Sequence, residues 1–236
     1  MTYIRPQSIK LITTNDGSHS LLNTELDETY HSRHGARQES EYVFIEHGLN
    51  YWINCNQQNH IRILEVGLGT ALNAWLTLCA PNVQALTLQY FAIEKFPLPA
   101  EVWQHLNYAT THRELFEKIH SSPWNSWQSI LPTAHLFKCE NSLQDCSIPD
   151  LKFDLIYYDA FAPNKIYYDA FAPNKQPDMW AFNVLEKVVQ CLAPGAVFVT
   201  YCAKGQLKRD LKNLGLQVES LPGPPGKREM VRAIKM

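Results

Sequence analysis

The residues with the clearest chemical potential are two glycines and four carboxylates set at the ends of apolar runs. Ile63-Leu64-Glu65-Val66-Gly67-Leu68-Gly69-Thr70-Ala71-Leu72-Asn73 reads as a strand that breaks at a Gly-x-Gly turn and continues as a helix. Glycine suits such a turn because a side chain would hold a ligand off the backbone, and because the bend can demand positive φ. Gly67, Gly69, Thr70 and Asn73 are therefore candidate ligand contacts, with Glu65 placed to order the loop. The next apolar run ends in Ala92-Ile93-Glu94-Lys95, where a carboxylate can accept both hydroxyls of a ribose. Glu94 is the candidate ribose ligand, with Lys95 beside it. Asn141, in Glu140-Asn141-Ser142, could hydrogen-bond an adenine amino group. Asp159, or its duplicate Asp169, ends a fourth run and is placed to take or orient a proton.

Such residues converge only if the chain lays its runs side by side. From about residue 60 onward, short β-rich stretches alternate with helical patterns, the signature of a parallel sheet covered on both faces. Strands are expected at His60–Val66, Leu86–Glu94, Ala134–Cys139, Phe153–Asp159, Ala196–Cys202, Leu216–Leu221 and Glu229–Ile234. Helices are expected at Ala71–Cys79, Ala100–His120, Pro177–Leu192 and Lys204–Leu214, the last closed by Gly215. Trp124 and Trp127 fall in the connection after the second helix and are expected as core plugs. Residues 1–59 differ: Ser8–Thr14 and Ser20–Asn23 flank the turn Asn15-Asp16-Gly17, and a polar stretch leads to Val43-Phe44-Ile45. The division expected is an N-terminal extension, 1–59, packed on a core of residues 60–236, the whole forming one globular unit.

Ile156–Lys165 is repeated without change as Ile166–Lys175. Two short copies do not make a solenoid, and a compact domain has room for one of them in the sheet. The first copy inherits the apolar lead-in Phe153-Asp154-Leu155, which fixes strand register, so it is expected to form the strand and the second an enlarged loop.

Composition narrows the classes. Apolar residues at 45% and charged ones at 19% lie in the globular range and exclude wholesale disorder. No apolar window is long enough for a membrane span and the start lacks a signal pattern, so a cytoplasmic location is expected. The six cysteines form no Cys-x-x-Cys pair and read as structural. His31-x-x-His34 and the other histidines have no convincing ligand spacing, so no metal is expected. A net charge of −2 gives no global attraction to nucleic acid, and any such contact needs a local basic surface. Lys204, Lys208, Arg209, Lys212, Lys227, Arg228 and Arg232 supply one, with Lys204, Lys227 and Arg228 as candidate substrate contacts. Leu72 stands where a dinucleotide fingerprint needs Gly or Ala, which disfavours a nicotinamide cofactor and leaves S-adenosyl-L-methionine as the ligand that suits Glu65 and the turn.

Several longer motifs resemble one family. Asp16-Gly-Ser-His-Ser, the stretch Asn23–Ser40, Ile93–Leu98, Tyr158–Lys165 with Pro177-x-x-Trp180, Thr200–Gly205 and Gly223–Met230 are similar in order to the methyltransferase part of the bacterial bifunctional tRNA 5-methylaminomethyl-2-thiouridine biosynthesis proteins. The resemblance runs from about residue 8 to the C-terminus. It implies an α/β, Rossmann-like, seven-stranded S-adenosyl-L-methionine-dependent methyltransferase sheet with helices on both faces and a β-rich N-terminal extension. Its last strand is antiparallel, between the fifth and sixth. It implies methyl transfer to the primary amine of 5-aminomethyl-2-thiouridine at the wobble position of tRNA, with Asp159 or Asp169 receiving the proton. The chain lacks the length and the second glycine fingerprint of the family's flavin-dependent part, so no FAD is expected and a separate oxidoreductase would act upstream. Ala71 replaces a third glycine and Asn141 an acid common after the third strand. The alternatives are a methyl- or aminopropyl-type transferase acting on a small amine, and a non-catalytic RNA-binding relic spoiled by the duplication.

Overall fold

The computed structural model describes residues 8–25, 27–161 and 179–236. Its centre is an eight-stranded sheet in the order β10-β11-β9-β8-β4-β5-β7-β6. The strands are β4 (His60–Val66), β5 (Thr87–Glu94), β6 (Trp127–Leu131), β7 (Ala134–Glu140), β8 (Phe153–Tyr158), β9 (Leu192–Thr200), β10 (Leu216–Pro222) and β11 (Glu229–Lys235). β4, β5, β7, β8 and β9 are parallel, and β11 lies antiparallel between β9 and β10. All six residues of β8 are buried, as a central strand covered on both faces requires.

The eighth strand is an addition to the seven expected. Trp127–Leu131 doubles back antiparallel on β7, Trp127 pairing with Phe137, through a turn at Pro132-Thr133. As an edge position it leaves Trp127 40% exposed, with its ring on Phe137, so this side chain is not a core plug. Trp124 does pack partly buried against the core and under the Lys138 ammonium. The single helix expected over Ala100–His120 is two, α4 (Ala100–Trp103) and α5 (Arg113–Ser121). In the connection between them the Asn107 side chain accepts the His19 amide proton at 2.7 Å and donates to the Gly17 carbonyl at 2.9 Å, tying this segment to the N-terminal hairpin. α3 (Leu72–Cys79) and α7 (Gly205–Asn213) match their expected positions, while α6 (Phe182–Gln190) is shorter than the expected Pro177–Leu192: residues 179–181 form a turn, Leu192 already belongs to β9, and residues 177–178 lie outside the described residues. The first repeat copy supplies Ile156, Tyr157 and Tyr158 to β8, and the second lies outside the described residues.

The N-terminal part holds a small sheet, β1 (Ile9–Thr13), β2 (His19–Asn23) and β3 (Glu28–Thr29), as expected. It is less β-rich than the sequence suggests, because a continuous helical run follows: α1 (Ala36–Ser40), a π-helical stretch (Glu41–Asn50) and α2 (Tyr51–Cys55). Its buried positions Ala36, Glu39, Ser40, Val43, Phe44, Leu49 and Trp52 fall on one helical face, a stripe obscured in the sequence by Arg37, Glu41 and the buried Glu39 itself. The run packs on the sheet where a Gly48 Cβ would come within 3.0 Å of Val199 and 3.2 Å of Tyr157. Of the cysteines, all unpaired, Cys55 is exposed at its end and so is not a core residue.

The hairpin caps this run. Thr14 Oγ1 accepts from the Ala36 amide at 3.2 Å, Ser18 Oγ from Arg37 at 3.1 Å and Asp16 Oδ2 from Gln38 at 3.0 Å, so three amides with no intrahelical partner are satisfied. Burial alone would raise the Asp16 carboxyl, but the hydrogen bonds from Ser18, Thr14 and Gln38 outweigh it and hold it at about 2. A lowered folded-state value stabilises above the ordinary 3.8 and the benefit disappears as pH falls toward 2. Asp16→Ala is therefore expected to cost about 1 kcal/mol at neutral pH, the electrostatic part being screened by solvent, with the gap to the parent narrowing below about pH 4. Urea denaturation at the two pH values checks this, and equal midpoints at neutral pH would refute it.

Candidate active site

Strand register brings the chemically interesting residues to one edge. Val66 pairs with Ile93 on one side and Tyr158 on the other, and Glu94 pairs with Glu140. The residues just beyond, Gly67, Lys95, Asn141 and Asp159, thus lie along the carboxyl ends of β4, β5, β7 and β8. The chain goes from β4 to β5 in one direction and later fills β8 on the other, so a crevice opens there. A cavity of about 490 Å³ occupies it, and Gly67, Gly69, Thr70, Asn73, Glu94, Lys95, Asn141 and Asp159 all line it.

Gly67 has φ +90°, and a Cβ there would lie 2.6 Å from the Asp159 carbonyl oxygen, so the position is closed to any side chain. Gly69 donates its amide to Glu94 Oε2 at 2.9 Å, while Phe96 donates to Oε1 at 2.8 Å. The Glu94 carboxylate thereby holds the turn as well as facing the cavity; burial raises it above its usual range. Ala71, in the place of the third glycine, is left-handed at φ +57°, which costs about 1 kcal/mol for a residue with a Cβ. Thr70 is held by its carbonyl, which accepts from His120 at 3.2 Å, and Asn141 Oδ1 accepts from the Ser142 amide at 2.8 Å.

Glu65 sits elsewhere than expected. It is absent from the cavity wall and fully buried, its Oε1 accepting from Asn73 Nδ2 at 3.0 Å and its Oε2 from the Tyr90 hydroxyl at 2.9 Å. Burial and the neighbouring Asp159 raise its carboxyl well above the usual range. It orders Asn73 rather than reaching a ligand. Asn73 donates also to Asp159 Oδ2 at 2.8 Å. Burial, and secondarily the charge of Glu39, push Asp159 up to about 7, against the opposing effects of Asn73 and Lys227. A carboxyl at that value can take a proton near neutral pH. Asp169 lies outside the described residues.

Folding places three of the seven basic residues in ion pairs. Lys208 pairs with Glu229, Arg232 with Glu219 and Lys227 with the buried Glu39, Lys227 also lying over the Tyr201 ring. Lys204 and Arg228 are exposed, and none of Lys204, Lys227 and Arg228 lines the cavity. What the residue types did not reveal is the contribution of the N-terminal part: Asn23, Glu25, Tyr30 and His31 form a wall of the same cavity. Tyr30 lies against Gly69 and meets Phe161 edge-on at 5.2 Å. Burial lowers His31 to about 4, keeping it neutral between Ser20 and Thr70. The dense motif Asn23–Ser40 was the available signal. Among the described residues, no group of three His, Cys, Asp or Glu side chains could hold a metal ion, and no helix is long and apolar enough to cross a membrane.

The site suits a nucleoside-bearing ligand: a turn closed to side chains and a carboxylate at the second strand of the crevice. The chain is 29% identical over 227 residues to the tRNA 5-methylaminomethyl-2-thiouridine biosynthesis bifunctional protein MnmC of Leptospira interrogans, covering 89% of this chain and 33% of the relative. It is 29% identical over 238 residues to the protein of the same name from Pseudoalteromonas atlantica, covering 90% and 32%. The chain thus spans about a third of the length of these relatives. Its fold is similar to the crystal structure of MNMC2 from Aquifex aeolicus, with TM-score 0.72 and 23% identity over 95% of this chain and 70% of that one. A probable spermidine synthase from Corynebacterium glutamicum shares the fold more distantly, with TM-score 0.51 and 16% identity over 96% and 76%. The sequence pattern of S-adenosyl-L-methionine-dependent methyltransferases matches residues 115–236, more than half of the chain, and with the cavity it establishes the assignment: this chain belongs to the S-adenosyl-L-methionine-dependent methyltransferase family.

Proposed function

We propose that this chain N-methylates the primary amine of 5-aminomethyl-2-thiouridine at the wobble position of tRNA. When bound, S-adenosyl-L-methionine supplies an electrophilic methyl group on a sulfonium. Gly67, Gly69 and Thr70 cradle its amino acid end, Glu94 takes the ribose hydroxyls with Lys95 alongside, and Asn141 faces the adenine. Glu65 acts at one remove, by holding Asn73. Asp159 orients the incoming amine and accepts the proton shed as nitrogen gains its fourth bond. The observation that carries this reading is Asp159 itself, in the cavity wall beyond the end of β8 and raised to about 7, a base matched to its task at neutral pH. Residues 1–59 and 60–236 work as one unit, because Tyr30 and His31 complete the wall begun by β4 and β5. Lys204 and Arg228, exposed near the start of α7 and before β11, are the candidate phosphate contacts; Lys227 serves through its pairing with Glu39. A separate oxidoreductase upstream would deliver the free amine, and a cytoplasmic location accords with a tRNA substrate.

The test is methyl incorporation by the purified chain from S-adenosyl-L-methionine into tRNA lacking the final methyl, with free polyamines in parallel. Formation of the methylaminomethyl nucleoside is expected, also after removal of Ile166–Lys175. Transfer to polyamines alone would replace the RNA reading by the small-amine one, and donor-free tRNA binding without transfer would indicate a relic.

A further inference from the structure

Asn141 stands on a loop whose shape is imposed from outside the cavity. After β7 the chain makes one turn of helix that is not continued. The Cys146 amide donates to the Ser142 carbonyl at 2.8 Å, while Ser142 Oγ accepts the Asp145 amide at 3.1 Å and donates to Asp145 Oδ2 at 2.7 Å. A helical turn that stops leaves its last carbonyls without amide partners. The half-buried Lys187, in the middle of α6, takes three of them: its ammonium donates to the carbonyls of Leu143 at 2.8 Å, Gln144 at 2.9 Å and Cys146 at 2.7 Å. An ammonium has three N–H groups and no acceptor, so this turn uses all that Lys187 can offer. Lysines often cap the end of their own helix, but this one comes from an element some forty residues later. The turn in its turn fixes Asn141, whose Oδ1 accepts the Ser142 amide at 2.8 Å and whose Nδ2 donates to the Asp145 carbonyl at 3.4 Å. Those two bonds give the side-chain amide one orientation. Asn141, Ser142, Leu143 and Gln144 line the cavity, and Lys187 does not.

We propose that Lys187 is a positioning residue for the donor's adenine: by capping the turn after β7 it holds the Asn141 amide in the orientation that accepts an amino group, and so sets the preference for adenine over a purine with a carbonyl at the same place. The inference rests on reading Asn141 as the adenine contact and is independent of which amine receives the methyl. An amide oxygen accepts an N–H of the adenine amino group and repels the carbonyl oxygen of hypoxanthine. Turning the amide to suit hypoxanthine would set its NH2 group against the Ser142 amide, so the loop forbids the exchange. Without the ammonium, three carbonyls lose their donor at once, the turn loosens, and Asn141 is released to rotate. The strand ends that carry Gly67, Glu94 and Asp159 make none of these bonds, so the remainder of the cavity keeps its shape.

The experiment compares the parent with Lys187→Met, which keeps the apolar stem and has no donor, and Lys187→Gln, which keeps a neutral amide with two N–H groups. Calorimetry measures the binding of S-adenosylhomocysteine and of S-inosylhomocysteine, its hypoxanthine counterpart, and urea denaturation records stability; no methyl acceptor is needed. The parent should favour the adenine ligand by at least about 30-fold. Lys187→Met should weaken that ligand by about 10-fold, the worth of one hydrogen bond, and the hypoxanthine ligand by less than about 2-fold, with Lys187→Gln in between. A lysine that only braces the fold would lower both affinities by one factor, or change stability and neither affinity. Either result overturns the inference, and if Lys187→Met does not fold, Lys187→Gln decides on the same criterion. Failure of both variants to fold would make Lys187 a scaffold residue, against the inference. A parent that binds the two ligands equally would remove Asn141 as the adenine contact and this inference with it, while the methyl transfer proposed above is judged separately by its own assay.

Discussion

Asp159→Asn is expected to lower methyl transfer by about a hundred- to ten-thousandfold while making the protein harder to unfold above neutral pH. The loss follows from removing the proton acceptor in the cavity wall while keeping a side chain of the same shape. Asn73 Nδ2 can still donate to the new amide oxygen, so the geometry of the wall survives and the defect should fall on kcat rather than on donor affinity. In the unaltered chain the active form of Asp159 is the carboxylate, so the rate should rise with pH through about 7 and level off above it. The stability effect has the opposite sense. A carboxyl whose folded-state value is raised from 3.8 to about 7 contributes stability below 3.8 that is lost as pH climbs through 7. Above neutrality the charged side chain is therefore a burden, on the order of 2 to 3 kcal/mol after allowing for its partial exposure to the cavity, and Asn relieves it. Thermal unfolding of both proteins at about pH 4 and about pH 8 would show a small gap at the lower value that widens severalfold at the higher. A variant with parental activity, or one less stable than the parent at the higher pH, contradicts the assignment.

Gly67→Ala is expected to abolish donor binding and to cost about 2 to 4 kcal/mol of stability. Two effects combine. The residue sits at φ +90°, where a side chain is strained in any surroundings, and the added Cβ would lie 2.6 Å from the Asp159 carbonyl oxygen. That oxygen belongs to the backbone beyond β8, which cannot move without shifting Asp159 out of the wall. Gly195→Ala separates the terms: its φ is +74° but nothing lies within 4 Å of the added atom, so it should lose only the backbone part, about 1 kcal/mol, and retain donor affinity. Calorimetry with S-adenosyl-L-methionine and chemical denaturation of the two variants would decide. Equal losses in both would mean that the close approach to Asp159 is unimportant.

Reading the chain by pattern succeeded where a residue's position in the fold depends on its immediate neighbours. The Gly67–Gly69 turn, Glu94 at the end of β5 and Asp159 at the end of β8 were legible because strand, turn and helix are set within a dozen residues. Parallel register then carries them to one edge with no further information. The failures have a common cause. Ala100–His120 looks like one helix, but the segment between α4 and α5 is tied through Asn107 to His19 and Gly17, residues some ninety positions earlier. The start of the helical run, before Val43, looked like a polar stretch because Glu39 and Ser40 lie on its buried face, where Glu39 pairs with Lys227. The same pairing spent a lysine that seemed available for phosphate, and Glu65 proved to be an anchor for Asn73 rather than a ligand contact.

By itself the amino-acid order determined the strand-turn-helix units, the choice of the first repeat copy for β8 and the acid at each strand end, since backbone propensity and apolar alternation act locally. Tertiary structure alone decided which charges remain free, which side chain of the Glu65–Asn73–Asp159 chain meets the cavity, and that Tyr30 and His31 close it. Charge pairing and desolvation depend on groups far apart in the chain, so these properties come into being only when the fold brings the partners together.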